Sequence, residues 1–410
     1  MYKPIRAPRS RTSPSVRLVV ILGLLAVLGP LTIDLYLPAF PQLQADLEAA
    51  PAQIQLTLSA ATIGFALGQL VIGPWSDSVG RRRPLLVATL LHVVASVTIA
   101  IAPDITWVLA LRVLQGAGAA GGGVVAMAMM RDVAEGRQLI KGLARIALFT
   151  GIAPVIAPFL GAQLMLALNW RGIFVVVALY GLVILALSAA LIPETLDLER
   201  RVDRGDKGAV WRSYRILLRD STFVGVALIG GCMVSSVFAY MSTSSFVFQQ
   251  QYGLTAQMYG VISAVNAVAF VVGTQISGVV AQRVAPKLVL AVVLPVLAAT
   301  GFLLILVGVM FVGIGPVIAV MLVFMAFAGA CGPSLGALGL ADHAKRAGTA
   351  AALLGAANFG LAGVASPVVG ALGITTVVPL GAVMGGAMSV ATLALWAMVA
   401  RPTRARDAAA

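Results

Sequence analysis

Leu31-Thr32-Ile33-Asp34-Leu35-Tyr36-Leu37-Pro38 sets an aspartate into an apolar run that extends from about residue 18 to residue 40. Roughly 20 such residues cross the hydrocarbon core of a bilayer as a helix. The run therefore reads as a membrane span with Asp34 inside it. An acid there costs at least about 2–3 kcal/mol, so it ordinarily faces a watery cavity or a cationic partner and marks a functional position.

Outward from this stretch the composition is uniform. The 410 residues are 60% hydrophobic and 10% charged, with a mean hydropathy of +1.00, which excludes an ordinary soluble domain. Apolar runs recur at helix-spanning length without the alternation of a membrane barrel. Twelve spans are expected, at 18–40, 53–74, 84–103, 107–130, 144–167, 172–192, 221–247, 257–281, 287–311, 316–340, 349–372 and 377–400. The first is read as retained, because no small-residue cleavage site follows a short core.

The net charge of +13 raises nucleic acid binding, and the placement of the charges disposes of it. With a cytoplasmic N-terminus, every Lys and Arg falls on the inner side except Arg171, in an outer loop, and Arg112, inside a span. This is the positive-inside pattern of a multi-pass protein with both termini in the cytoplasm. Cys232 and Cys331 both fall inside spans and read as small buried hydrophobes.

The loop after span 2 reads GPWSDSVGRRRP, from Gly73 to Pro84. Span 4 contains RVLQGAGAAGGG, with Arg112, Gln115 and Gly116, and span 5 contains GIAPVIAPFLG, with Gly151, Pro154, Pro158 and Gly161. Two prolines one turn apart bend a helix. Asp34 lies about 9 Å below the outer end of span 1 and Arg112 about 7–8 Å below that of span 4, at roughly 1.5 Å per residue. The two opposite charges are at matching depth, so pairing or near-pairing is expected, either as part of a proton switch or as a structural pair.

These motifs carry a resemblance. Gly73, Asp77, Gly80, Arg81 and Arg82 resemble the signature loop of the major facilitator superfamily, with Ser78 where that family usually has a base. Arg112, Gln115 and Gly116 resemble its span-4 motif. Gly151 to Gly161 is similar to the antiporter motif of span 5, with Ala153 in place of a glycine and Gly161 displaced. A degraded second copy of the loop, Gly278 to Ala285, follows span 8, with Gln282 in the place of Asp77.

Together with IDLYLPAFPQL, NWRGIF and SSFVFQQQYGL, the closest resemblance is to the bicyclomycin and chloramphenicol resistance branch of bacterial drug:proton antiporters. It implies an all-α membrane protein of twelve transmembrane helices in two pseudo-symmetric six-helix bundles, 1–193 and 221–410, joined by a cytoplasmic linker, 194–220. It further implies export of small antibiotics across the inner membrane by alternating access, with the proton as coupling ion, no cofactor, and a monomer.

Asp34 and Arg112 are the expected proton-coupling residues, since burial favours the protonated acid and a nearby guanidinium the ionised one. Tyr36, Gln115, Tyr240, Asn266 and Asn358 are candidates for the substrate cavity, and the two asparagines read equally well as bonds between helices. His92, alone in span 3, reads as a satisfied core histidine rather than a proton carrier. Residues 194–220 form either a plain linker or, through Trp211, Tyr214, Ile216 and Leu217, a short amphipathic helix. A same-fold exporter of a metabolite or sugar is the alternative function. An enzyme is not expected, because no catalytic pair, metal cluster or phosphate-binding loop is visible.

Overall fold

The computed structural model describes residues 15–197, 207–310, 313–341, 347–372 and 376–399. These fold into α-helices: α1 (Val16–Asp34), α2 (Phe40–Asp46), α3 (Pro51–Val79), α4 (Arg82–Ala100), α5 (Ile105–Val133), α6 (Gly136–Leu164) and α7 (Trp170–Leu191). The chain continues with α8 (Lys207–Arg219), α9 (Ser221–Phe246), α10 (Ala256–Val280), α11 (Pro286–Val309), α12 (Ile314–Ala341), α13 (Ala347–Ala371) and α14 (Val377–Ala394). Among the described residues, eleven segments are long and apolar enough to cross a membrane, and α13 places the apolar stretch Leu353–Val364 where span 11 is expected.

Short polar residues start the helices. The side chains of Asp104, Asn169 and Asp220 accept backbone amides of the first turns of α5, α7 and α9, filling donors that a helix start leaves open. Span 1 ends early. α1 stops at Asp34, a 3-10 turn over Leu37–Ala39 follows, and α2 completes the crossing. Pro38 lacks the amide that a continuing helix would need.

The packing repeats within the chain. α3 pairs with α5, α1 with α6 and α4 with α7, and the same three pairings recur as α10 with α12, α9 with α13 and α11 with α14. Across the two groups α3 packs on α13, and α6 on α10. The α3–α5 pair crosses closely, because a Cβ on Gly64 would meet the carbonyl of Val113, and one on Gly116 the carbonyl of Ala61, and α10 and α12 cross in the same way at Gly273 and Gly329. Such small-residue faces let backbones approach where lipid supplies no hydrophobic drive.

The 194–220 segment contains α8, so it is more than a plain linker. Within it Leu217 is buried against Phe223 and Ala350, Tyr214 reaches the large cavity described below, and Ile216 and Leu218 are exposed. The side chain of Trp211 lies outside the described residues.

Candidate functional site

A cavity of about 2160 Å³ lies between the two groups of helices. Its deep end is walled by Asp34 from α1, Tyr240 from α9, and Tyr259 and Asn266 from α10. Its mouth reaches Gly73, Asp77, Arg81 and Arg131, together with Tyr214 of α8. The cavity is thus open at the basic end of the molecule.

The far end is shut by amides. Gln55 donates to the carbonyl of Ser242 at 3.3 Å and to the Thr243 hydroxyl at 3.1 Å. Gln249 donates to the carbonyl of Pro38, Gln250 to the Gln44 side chain and Gln257 to the carbonyl of Ala162, each at 3.0 Å. Phe40 and Phe246 meet in the same seam with ring centroids 5.7 Å apart.

Asp34 is 3% exposed, and its Oδ1 has no hydrogen-bond partner. Arg112 is fully buried, but it forms no ion pair with Asp34. Its Nη1 donates to the carbonyl of Thr32 at 3.0 Å and to Oε1 of Gln115 at 2.6 Å, and its Nε donates to the carbonyl of Thr57 at 3.2 Å. The guanidinium carbon lies 4.1 Å from the centroid of the Tyr36 ring, a cation–π contact. The expected pairing is therefore corrected. Depth matches but orientation does not: Arg112 is held by the Thr32 carbonyl and the Tyr36 ring, while Asp34 faces the cavity.

Two candidate cavity residues are drawn into the same buried cluster. Tyr36 is turned into the N-terminal helices, where its hydroxyl donates to Thr57 Oγ1 at 3.0 Å, and Gln115 is consumed between Arg112 and Ser96. Neither is on the cavity wall. Asn358 is also off it, since α13 presents Gly355 and Phe359 there while the Asn358 amide lies against Gly230 of α9. Tyr240 and Asn266 are on the wall, joined by a 2.6 Å hydrogen bond from Asn266 Nδ2 to the phenol. Tyr259 and Ser263, one turn apart on α10, are on the wall as well. His92 is fully buried, and its Nε2 is bonded to Thr32 Oγ1 at 2.8 Å.

At the basic end, Gly80 closes α3 at φ 103°, a conformation that glycine alone adopts without strain. The turn brings Arg81 back onto Asp77, onto Ser76 Oγ at 2.9 Å and onto Asp132 of α5 at 2.8 Å. Burial alone would lower the Arg81 value, but the hydrogen bonds and charges of Asp132 and Asp77 raise it above its ordinary value. Arg82 donates to the carbonyl of Ala189 on α7. Glu194 caps the start of α4 by accepting the amides of Arg81 and Arg82. Neither Asp132 nor Glu194 stands out in the sequence, where both read as solvated loop acids.

In α6, Gly151, Pro154 and Pro158 border the cavity, and Gly161 lies against the backbone of Leu35. Cys232 and Cys331 are both buried and unpaired. Among the described residues no three His, Cys, Asp or Glu converge on a metal-sized site.

The family model described as Major Facilitator Superfamily matches residues 22–367. The chain belongs to the major facilitator superfamily. It is a multi-pass membrane transporter and not an enzyme. Over 387 residues it is 36% identical to an uncharacterized MFS-type transporter, YdgK, of Bacillus subtilis, covering 93% of this chain and 95% of the relative. It is 27% identical over 392 residues to a bicyclomycin resistance protein homolog of Haemophilus influenzae, covering 95% and 97%. It is 32% identical over 243 residues to the multidrug resistance protein MdtL of Shigella flexneri, covering 59% and 61%. In fold it resembles the crystal structure of a D-xylose-proton symporter, with a TM-score of 0.73 at 16% identity, covering 93% and 97%.

Proposed function

We propose that this superfamily member is a proton-coupled antiporter that exports small antibiotics, of the chloramphenicol, florfenicol or bicyclomycin kind, across a bacterial inner membrane. The reading carries both termini in the cytoplasm, because the basic residues flank that side, and the structure is then the inward-open state of an alternating-access cycle. A single chain holds the whole pathway, so a monomer suffices.

What carries the reading is Asp34. Among the described residues it is the single buried acid. It sits at the deep end of the cavity without an ion-pair partner, where drug and proton compete for one carboxyl. The names of the Haemophilus and Shigella relatives support drugs as the cargo.

In the cycle, drug enters from the cytoplasm and displaces the proton from Asp34. The mouth then closes around the Arg81 cluster as the glutamine seam opens, and a proton from outside replaces the drug. α6, whose Pro154 and Pro158 line the cavity alongside α1, limits a leak of protons through the closed end.

The test uses everted membrane vesicles with an acidic interior and a pH-sensitive dye. Chloramphenicol added to wild type releases protons, and the same addition to Asp34→Asn does not. Equal release from both proteins would make Asp34 structural. No release from either would reject antiport of this drug.

A further inference from the structure

Behind Asp34, five hydrogen bonds close a ring through α1, α4 and α5. Thr32 Oγ1 gives its own proton to the carbonyl of Leu28 at 2.6 Å, so at its 2.8 Å contact with His92 Nε2 it accepts. This fixes the proton of a neutral His92 on Nε2. The carbonyl of His92 accepts from Ser96 Oγ at 2.7 Å, and Ser96 Oγ accepts from Gln115 Nε2 at 2.8 Å. Gln115 Oε1 takes one Nη1 hydrogen of Arg112, and the carbonyl of Thr32 takes the other. All five residues are 3% exposed or less.

Within the ring the Nδ1 of His92 is left as an acceptor without a partner. Nη2 of Arg112 has no partner, and neither has Oδ1 of Asp34. A guanidinium stays charged in a protein, and an ionised carboxylate at the same depth attracts it strongly in a poorly polarisable interior. Other titratable groups near this end of α1 are Tyr36 on the chain itself, Tyr240 on α9 and Tyr259 on α10. At this level α3 and α6 present none among the described residues. Besides the ring, the Thr57 carbonyl and the faces of Tyr36 and Phe174, at 4.1 and 5.7 Å from the guanidinium carbon, hold Arg112 where it is.

We propose that Thr32, His92, Ser96 and Gln115 form a positioning clamp that keeps Arg112 off Asp34 while the cavity is open at its basic end. His92 acts through its hydrogen bond to Thr32, pinning α1 to α4, and not by titrating. Released from the clamp, Arg112 swings to Asp34, and the paired acid gives up its proton before drug arrives. The inference rests on the reading of Asp34 as the proton carrier.

The experiment measures chloramphenicol-evoked proton release from purified protein, with a pH indicator, across a range of pH. Wild type, Asp34→Asn, His92→Leu, His92→Gln and Thr32→Val are compared. Glutamine places an amide N–H near the position of Nε2 and valine replaces one hydroxyl, so both are mild changes. His92→Gln keeps the wild-type midpoint. His92→Leu and Thr32→Val move it about 1–3 pH units toward acid, the usual effect of a guanidinium on a neighbouring carboxylate.

Folded His92→Leu and Thr32→Val with the wild-type midpoint would overturn the clamp, and if His92→Leu does not fold, Thr32→Val decides alone. Loss of release in a folded His92→Gln would overturn it differently, by making His92 the carrier. Release that persists in Asp34→Asn removes the carrier reading itself, and the clamp with it. Silence in Asp34→Asn with unshifted clamp variants removes only the clamp.

Discussion

Glu194 accepts the backbone amide of Arg81 at 2.8 Å, tying the end of α7 to the start of α4 across 113 residues. Its carboxylate also takes the amides of Arg82, Thr195 and Leu196. One acid thereby satisfies donors that the α4 start would otherwise leave open.

Burial alone would raise the Glu194 carboxyl, but the four amides hold it below its ordinary value of 4.5. Its contribution to stability is therefore whole above pH 4.5 and is lost as the pH falls through the depressed folded value. We expect Glu194→Gln to lower the melting temperature in detergent by a constant amount between pH 5 and pH 8. Below pH 4.5 the two proteins converge, and parallel curves at all pH would show that the charge contributes nothing.

The crossing of α3 and α5 predicts a sharp contrast within one helix. A Cβ on Gly116 would strike the carbonyl of Ala61, whereas one on Gly123 meets nothing within 4 Å. Gly116→Ala should destabilise by about 1–3 kcal/mol, the usual cost of overpacking. Gly123→Ala should leave the melting temperature unchanged or raise it, since alanine favours helix. Thermal unfolding of the two variants side by side settles the comparison.

The Gln55 amide donates twice across the far-end seam, to Ser242 and Thr243. At about 1 kcal/mol net for each such bond, Gln55→Leu should shift the balance toward the far-end-open state by roughly 5–30-fold. Spin labels at the exposed far-end positions Glu48 and Met258 report it as a growing population of longer distances. An unchanged distance distribution would place the closing energy elsewhere in the seam.

With Asp34 as the single buried acid among the described residues, exchange of one proton for a neutral drug moves one net charge inward. Chloramphenicol efflux should then respond to membrane potential as well as to the pH gradient, whereas export of a monovalent cation should respond to the pH gradient alone. Flux measured under a valinomycin-clamped potential distinguishes them, and a chloramphenicol flux indifferent to the clamp would contradict a one-proton exchange.

Much of this architecture is legible along the chain because a bilayer constrains helix length and charge placement one segment at a time. The expected spans at 84–103 and 257–281 differ from α4 and α10 by at most three residues at either end. α6 begins at Gly136 and not near 144, because its first three turns carry Lys141 and Arg145 at the basic end, where hydropathy fails to register a helix. The depth of Asp34 and Arg112 follows from rise per residue. The 100° step puts Asp34 on a different face of α1 from Thr32, but which face meets Arg112 depends on how α1 and α5 pack and has no signal in the sequence. The ring through His92 and the reach of Glu194 to Arg81 have no signal in the sequence, since each depends on how distant helices are set side by side. The glutamine seam had a faint one: Gln249, Gln250 and Gln251 in a row at the end of an apolar span are expensive in lipid unless something receives them.

That seam is built from carboxamides, carbonyls and hydroxyls, none of which gains or loses a proton between the acidic water outside a respiring cell and the neutral water within. Salt does not loosen it as it loosens ion pairs. On the antiport proposed above, the latch is therefore blind to the very gradient that drives the cycle. On that reading the timing of release falls to what occupies the chamber beneath it, and an acidified exterior does not by itself prise the transporter open.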